Sequence, residues 1–349
     1  MKGLLLGMLA VSAWAGAWGV SAGTNLPVPM QQIQQMEQQL LQDWRNLVSL
    51  VQSGQADPAQ VNQALRSISQ QMQQIQSVMD QAEVRQHHLR HLPSVAGQAG
   101  AGQTARTAQA GQVEIVAGDA RVATSAVRAS AQLVQSLSTG VVHQVTGVSL
   151  KKAQVVLFSS PQTYGRALEK AGVPAGEIDS IVQNTGGLTV GETVWIPLYN
   201  VQNEADLANV LTHELTHAAL NQAGIGDSLP TWVNEGTAWL SGMMAEQQVS
   251  PQAVARLASA SDAQLRQAAA NGALLPLTAS ESDILQASYN VEWEDYRAVQ
   301  SLVSKYGLAK WTAFLQGIPS RGVAGSFSQV YGISLQTYEQ QFVNGLERV

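Results

Sequence analysis

Apolar residues recur at steps of three and four along much of this chain, a spacing that predicts a largely helical protein. Two such runs occupy the glutamine-rich region 23–93 and are separated by a turn that ends at Pro58. They predict a helical hairpin with a coiled-coil-like seam. Because glutamine fills the flanking positions at which charges usually fix the partner, the seam could close on itself, on the rest of the chain or on a second copy.

The pattern changes after residue 150, where strand-like and helix-like segments alternate. A strand is predicted over 154–159, and a hairpin joined by Gly191-Glu192 follows two short helices. Asn203 and Pro230 are expected to begin two longer helices. Helices with one small sheet predict the α+β class. The expected packing anchors of the later helices are Tyr289, Trp293, Trp311 and Phe314.

The segment between these regions is rich in Gly, Ala, Gln and Thr over 94–112, which predicts a flexible linker, and is loosely helical over 122–145. A cut in the linker would release the amino-terminal part, which could therefore act as a propeptide. We expect four parts along the chain. They are a leader over 1–22, the hairpin over 23–93, the linker with its helix over 94–149 and the main domain over 150–349.

The leader has the composition of an export signal. A short positive start, Met1-Lys2, precedes an apolar run that ends in small residues at Ser21-Ala22. This arrangement is typical of a secretory signal peptide. We expect an exported bacterial protein of the periplasm or the extracellular medium, with no stable membrane span once the leader is removed.

The composition narrows the classes of function. Charged residues make up 13% of the chain and its net charge is −6, so no basic surface is expected to attract the phosphates of a nucleic acid. There is no cysteine, so disulfides do not stabilise the fold. Hydrophobic residues make up 45%, which suffices for a globular core. An enzyme and a binding protein remain open.

The clearest chemistry lies in the run His213-Glu214-Leu215-Thr216-His217. Residues four apart share one face of a helix, so His213 and His217 can direct two imidazoles at one ion. Glu214 lies one step round, where it can act on a metal-bound water without being a ligand. Glu235, on the next helix, supplies a distant carboxylate and leaves a fourth position open, as in catalytic zinc sites.

The segments H-E-L-T-H and W-V-N-E-G resemble the gluzincin metallopeptidases, and in particular their small bacterial peptidase MA-like branch. The resemblance covers about residues 150–349. It implies a zincin-like fold, one catalytic Zn²⁺ held by His213, His217 and Glu235, Glu214 as general base, and a peptide or unfolded-protein substrate. The chain lacks the G-x-M-E-N segment of the classical aminopeptidases, which favours an endopeptidase.

The same resemblance implies further site residues. In gluzincins a tyrosine or histidine on a later helix stabilises the oxyanion; here Tyr296 fits that place best and Tyr289 second. Asn221 stands where related enzymes often carry an acid, and Asn234, beside Glu235, could hydrogen-bond near the metal. In gluzincins an edge strand before the active-site helix binds extended peptide. The corresponding residues here are Thr193, Val194, Trp195 and Ile196.

Two other functions remain open at this point. In the first, a non-catalytic envelope binding or scaffold protein uses the helical hairpin, and its zinc site is structural or silent. In the second, the same residues hydrolyse a non-peptide amide. The intact Glu214 favours an enzyme over a silent site, because a silent site has no need of a base beside its metal.

Overall fold

The computed structural model describes residues 106–346 except 174, 185, 285 and 286, and nearer the amino terminus residues 39, 42, 43, 45, 46, 61, 64, 67, 68 and 71. The chain forms two compact units, 1–84 and 85–349. In the first unit every described residue is helical, and the Gln71 side chain donates to Asp43 Oδ2 at 2.8 Å. The two runs of the predicted hairpin therefore contact each other. The predicted leader, 1–22, lies outside the described residues.

The second unit contains a mixed sheet. Its strands are β1 (Thr107–Ala110), β2 (Val113–Ala117), β3 (Ala153–Phe158), β4 (Leu188–Val190) and β5 (Thr193–Pro197). They lie in the order β1-β2-β3-β5-β4. The three central strands are parallel, and each outer strand is antiparallel to its neighbour. Gly111 and Gly191 have φ values of 62° and 61° in the tight turns that join the antiparallel pairs, a conformation that favours glycine.

Helices connect the parallel strands and form the rest of this unit. They are α1 (Thr124–Leu133), α2 (Thr139–Thr146), α3 (Pro161–Lys170), α4 (Ala175–Asn184), α5 (Glu204–Gln222), α6 (Thr231–Val249), α7 (Pro251–Ala270), α8 (Glu281–Ile284), α9 (Val291–Tyr306), α10 (Leu308–Tyr331) and α11 (Leu335–Leu346). A π-helical segment, Val134–Ser138, joins α1 to α2, and short 3₁₀ turns cover Leu198–Asn200 and Gly226–Ser228. The unit is therefore mixed α+β, as the sequence predicts.

The core places α5 and α6 at its centre. Leu215 of α5 is fully buried in one cluster with Val155 of β3 and Ile196 of β5, so α5 lies against the sheet. α6 packs on α5, and α9 packs on α6. Gly236 permits this second contact, because a Cβ there would lie 2.3 Å from the backbone oxygen of Asp295. The two helices that carry the candidate ligands are thus fixed by their neighbours.

The predicted start of the main domain at residue 150 is wrong. β1 and β2 belong to the same sheet as β3, and Val113 and Ile115 are fully buried in its core. The linker predicted over 94–112 likewise fails at its carboxyl end, which forms β1. β2 is only five residues long and follows a run of small and polar residues, so the local pattern does not predict a strand there. The helix predicted over 122–145 is confirmed, in α1, the π-helical segment and α2.

Most other predicted elements agree with the structure. The strand over 154–159, the two helices after it and the hairpin at Gly191-Glu192 are confirmed, with ends that differ by one or two residues. The four aromatic packing anchors are buried. Across the described part of the chain, no helix combines the length and the apolar character that crossing a membrane requires.

Candidate metal centre

α5 brings the two histidines of the motif onto one face. The Asn203 side chain caps this helix, as predicted, and accepts hydrogen bonds from the amides of Ala205 and Asp206 at 3.0 Å. His213 and His217 are both 5% exposed, and their Nε2 atoms lie 3.1 Å apart. Two imidazoles one helical turn apart therefore converge on a single point inside the core.

α6 supplies the third member. Pro230 stands directly before its first residue, one position ahead of the predicted first turn, and Glu235 lies in the second turn. Its Oε2 atom is 3.8 Å from Nε2 of His213 and 3.6 Å from Nε2 of His217. The three ligand atoms lie within 4.8 Å of one another, and all three residues are buried. We call them the metal group, because they could hold a metal ion.

A hydrogen bond from His217 to Asn234 sets the tautomer of His217. The Asn234 amide nitrogen donates to the carbonyl oxygen of Gly226 at 3.3 Å, which fixes the orientation of the amide. Its oxygen, Oδ1, lies 2.9 Å from Nδ1 of His217 and so accepts the proton of that nitrogen. The lone pair of His217 is then on Nε2, the atom that faces the metal group. Asn234 therefore orients His217, in line with its prediction.

Asn221, the other predicted neighbour of the ligands, bonds to the β-hairpin instead. Its amide nitrogen donates to the carbonyl oxygen of Gly191 at 3.0 Å and ties the end of α5 to the β-hairpin. Its oxygen packs against Gly226, where a Cβ would lie only 2.0 Å away. The structure therefore does not bring Asn221 to the ligands. It supports the turn whose carbonyl oxygen holds Asn234.

Glu214 is held by Thr189 of strand β4 and by the glycine directly before that strand. The Thr189 hydroxyl donates to Oε2 of Glu214 at 2.7 Å and lies 3.0 Å from its backbone oxygen. A Cβ at Gly187 would lie 2.6 Å from Cγ of Glu214, so only glycine permits this close approach. Glu214 is 1% exposed. Sequence reasoning missed Thr189 and Gly187, since neither carries a motif and both reach Glu214 only through the tertiary fold.

Trp239 lies beside the other end of the metal group. Its ring meets that of His213 edge to face, with centroids 5.2 Å apart and an interplanar angle of 82°. Its indole nitrogen donates to Oε2 of Glu292 at 2.7 Å, and its ring packs on that of Trp293 with centroids 4.4 Å apart. Trp239 follows Glu235 by one helical turn, and this spacing is the signal that could have identified it.

The two predicted oxyanion tyrosines make hydrogen bonds elsewhere. The Tyr296 hydroxyl accepts from Gln300 Nε2 at 2.8 Å. The Tyr289 hydroxyl accepts from the amide of Leu275 at 2.9 Å and donates to Glu294. Burial raises the pKa of both tyrosines, so both keep their protons at neutral pH. Their role in stabilising an oxyanion stays a prediction.

The predicted substrate strand is not the edge strand. Thr193, Val194, Trp195 and Ile196 lie in β5, which has β3 on one side and β4 on the other. Both sides of β5 are therefore paired, and its prediction as an edge strand is wrong. The sequence identified the hairpin correctly but could not decide which of its strands would pair with β3. The edge next to Glu214 is β4.

Comparison with known proteins adds no assignment to this geometry. No protein-family model matches the chain, and no curated protein matches it.

Proposed function

We propose that this chain is a zinc-dependent peptidase of the gluzincin type, in which Glu214 acts as the general base. The observation that carries the proposal is the convergence of His213, His217 and Glu235. A fourth buried residue, Glu214, lies on the same turn of α5 as the two histidines. A structural metal site needs four protein ligands and no base. Three ligands beside a buried carboxylate are typical of a hydrolytic site.

The donor set fits zinc. Two imidazoles and one carboxylate are ligands that zinc accepts, at about 2.0–2.2 Å, and the ligand atoms of a tetrahedral site then lie about 3.3 Å apart. The two Nε2 atoms lie 3.1 Å apart, and Oε2 of Glu235 lies 3.6 Å from Nε2 of His217 and 3.8 Å from Nε2 of His213. They bracket the tetrahedral value, so small rotations of the side chains suffice. When bound, zinc lowers the pKa of a water molecule and polarises the substrate carbonyl.

Glu214 performs the proton transfers. It takes one proton from the water that attacks the carbonyl carbon, and it passes a proton to the nitrogen as the carbon–nitrogen bond breaks. The Thr189 hydroxyl and the Gly187 backbone restrict the position of its carboxylate. Asn234 keeps the lone pair of His217 on Nε2. These residues hold the reacting groups in place before substrate arrives.

An extended substrate pairs with β4. Thr189 lies opposite Val194, one position beyond the pair Val190 and Thr193 that flanks the two-residue turn. The flanking pair exchanges both main-chain hydrogen bonds, so the amide and carbonyl of Thr189 point to the other side of β4, which no described strand occupies. A peptide that adds to this edge therefore passes next to Glu214, which the Thr189 side chain contacts.

The proposal is tested with an unfolded-peptide mixture and the purified chain loaded with zinc. Wild-type protein is expected to produce new amino termini. The Glu214→Gln variant should bind the same amount of zinc and lose at least about 100-fold in rate, because it lacks the base. Mass spectrometry of the products gives the rate and the cut sites, and metal analysis gives the zinc content.

Glu169→Gln is the matched control, since it makes the same chemical change at an exposed position of α3. It should leave the rate unchanged. Zinc-loaded wild-type protein that releases no product, or a Glu214→Gln variant as active as wild type, would refute the proposed function.

A further inference from the structure

Trp239 is more exposed than the ligands it adjoins and than the residues that hold its ring. The ligands, Glu214, Trp293 and Glu292 are buried, whereas Trp239 is only half-buried. Its ring centroid lies 5.2 Å from that of His213. A partly accessible aromatic ring therefore lies against a residue of the metal group. Among the described aromatic residues that contact the metal group, Trp239 is the one that keeps accessible surface.

Three contacts fix the orientation of this indole. Its N–H is bound to Glu292, an acceptor on α9, at 2.7 Å. Trp293 packs on its ring, and His213 lies against it. A side chain with its only donor satisfied and its ring held by two others has little rotational freedom left. Such an aromatic surface can bind a ligand without losing conformational entropy on binding.

The chemistry of the accessible surface is apolar and flat. The polar atom of the indole already has its acceptor in Glu292. What remains for a ligand is carbon and the face or edge of the ring, which attracts aromatic and aliphatic groups by burial and by ring stacking. A peptide that lies along β4 and reaches the metal group brings its side chains to this region.

We propose that Trp239 is a specificity-determining residue that binds a bulky aromatic or aliphatic side chain of the substrate beside the scissile bond. The inference rests on the proposed peptidase function for its reaction, but its binding component can be measured alone. Glu292 and Trp293 are positioning residues, which act by holding the indole.

The test compares matched peptides that differ only at the residues flanking the cut site, with Phe, Leu or Ala there. For zinc-loaded wild-type protein, kcat/KM should be at least about 10-fold higher with Phe or Leu than with Ala, the scale expected for a side chain in an apolar pocket. Trp239→Ala should abolish most of this ratio, because kcat/KM should fall more for the Phe and Leu peptides than for the Ala peptide. Trp239→Phe should restore most of the ratio, because it keeps an aromatic ring.

Tyr306→Ala serves as the control. Tyr306 is another half-buried aromatic residue, at the far end of α9, and its ring packs on that of Tyr331 with centroids 5.2 Å apart. This variant should keep the wild-type ratio. Zinc content and thermal unfolding are measured for every variant. If Trp239→Ala does not fold, Trp239→Leu, which keeps apolar volume without a ring, replaces it in the comparison with Trp239→Phe.

The outcomes separate this inference from the proposed function. A Phe-to-Ala ratio that Trp239→Ala leaves intact, or an equal loss on all peptides, overturns the inference and leaves the peptidase standing. If wild-type protein hydrolyses nothing, binding of the same peptides to the zinc-loaded chain is measured by calorimetry. If the Phe peptide then binds more tightly than the Ala peptide, and this difference disappears in Trp239→Ala, the inference is supported although the proposed function fails. If the two peptides bind equally tightly, both the inference and the proposed function are overturned.

Discussion

The metal group and the Tyr289–Glu294 pair are both buried polar clusters of the same unit, and the carboxylate in each has different neighbours. In the metal group two imidazole nitrogens converge on Glu235 within 4.8 Å. In the pair, Glu294 faces one phenol, which donates to its Oε2, and Oε1 has no hydrogen-bond partner in the described part of the chain. Burial raises the pKa of Glu294 to about 7, although the bond from Tyr289 lowers it.

This difference distinguishes a metal site from a structural pair. A carboxylate surrounded by neutral imidazoles gains most from a cation, because all three groups then share one positive partner. A carboxylate that faces only a phenol avoids its desolvation cost by keeping its proton. Burial of an acid is therefore not sufficient evidence of a metal site. The convergence of ligand atoms is what marks His213, His217 and Glu235 as a group that could hold a metal ion.

The largest expected difference between the two clusters is the response to zinc. Free zinc at about 1,000 times its dissociation constant should stabilise the wild-type chain by about 4 kcal/mol relative to the metal-free form, or about 10 °C in Tm. Thermal unfolding with zinc and with a chelator measures the shift. Glu235→Ala should remove most of it, and Glu294→Gln should keep it. A zinc-induced shift in Tm that is lost in Glu294→Gln would contradict the distinction between the two clusters.

A second difference is the response of stability to pH. The folded-state pKa of Glu294 is about 7 and its ordinary value is 4.5, so its protonated form is favoured in the fold. The stabilisation that protonated Glu294 gives to the fold is complete below about pH 4.5. It is lost as the pH rises through about 7, which lowers the free energy of unfolding by about 3 kcal/mol. Glu294→Gln, which still accepts from Tyr289, should lose this part of the pH dependence. Urea unfolding at pH 5 and pH 8 measures it, and identical pH dependence in both proteins would contradict the assignment.

A third difference is that the metal group has a neighbour, Asn234, that orients one of its ligands. Asn234→Ala removes the acceptor that keeps the proton of His217 on Nδ1. We expect zinc affinity to fall about 10- to 100-fold, the usual effect of removing a partner of a metal ligand. A competition titration with a chromophoric chelator measures the affinity. Asn271→Ala, the same change at an exposed position directly after α7, is the matched control, and equal losses in the two variants would argue against this role of Asn234.

The smallest expected effect concerns the Thr189 hydroxyl, which holds Glu214 as the Tyr289 hydroxyl holds Glu294. Thr189→Val keeps the shape and removes the donor. We expect kcat to fall about 10-fold, the equivalent of one hydrogen bond to a charged group, with zinc content unchanged. Thr124→Val, the same change at the exposed start of α1, should leave kcat as it is. An unchanged kcat in Thr189→Val would show that β4 does not position the base.

The residues that sequence reasoning found and missed differ in how far apart their partners lie along the chain. His213, Glu214 and His217 are on one helical turn, so their relative placement follows from helix geometry alone. Thr189 and Gly187 reach Glu214 from the sheet, and Glu292 reaches Trp239 from α9. Those contacts depend on how whole elements pack, which local patterns do not specify.

The sequence by itself determined the segments from β3 onward, the α+β class, the cap of α5, the start of α6 to within one residue and the residues of the metal group. These follow from short-range spacing and from residue types with few alternative roles. Only the tertiary structure decided that the sheet begins at β1, that β4 and not β5 is its edge, and that Asn234 rather than Asn221 orients His217. The physical reason is that strand order and side-chain partners are set by the burial of complete apolar faces, a property of the assembled elements and not of any one of them.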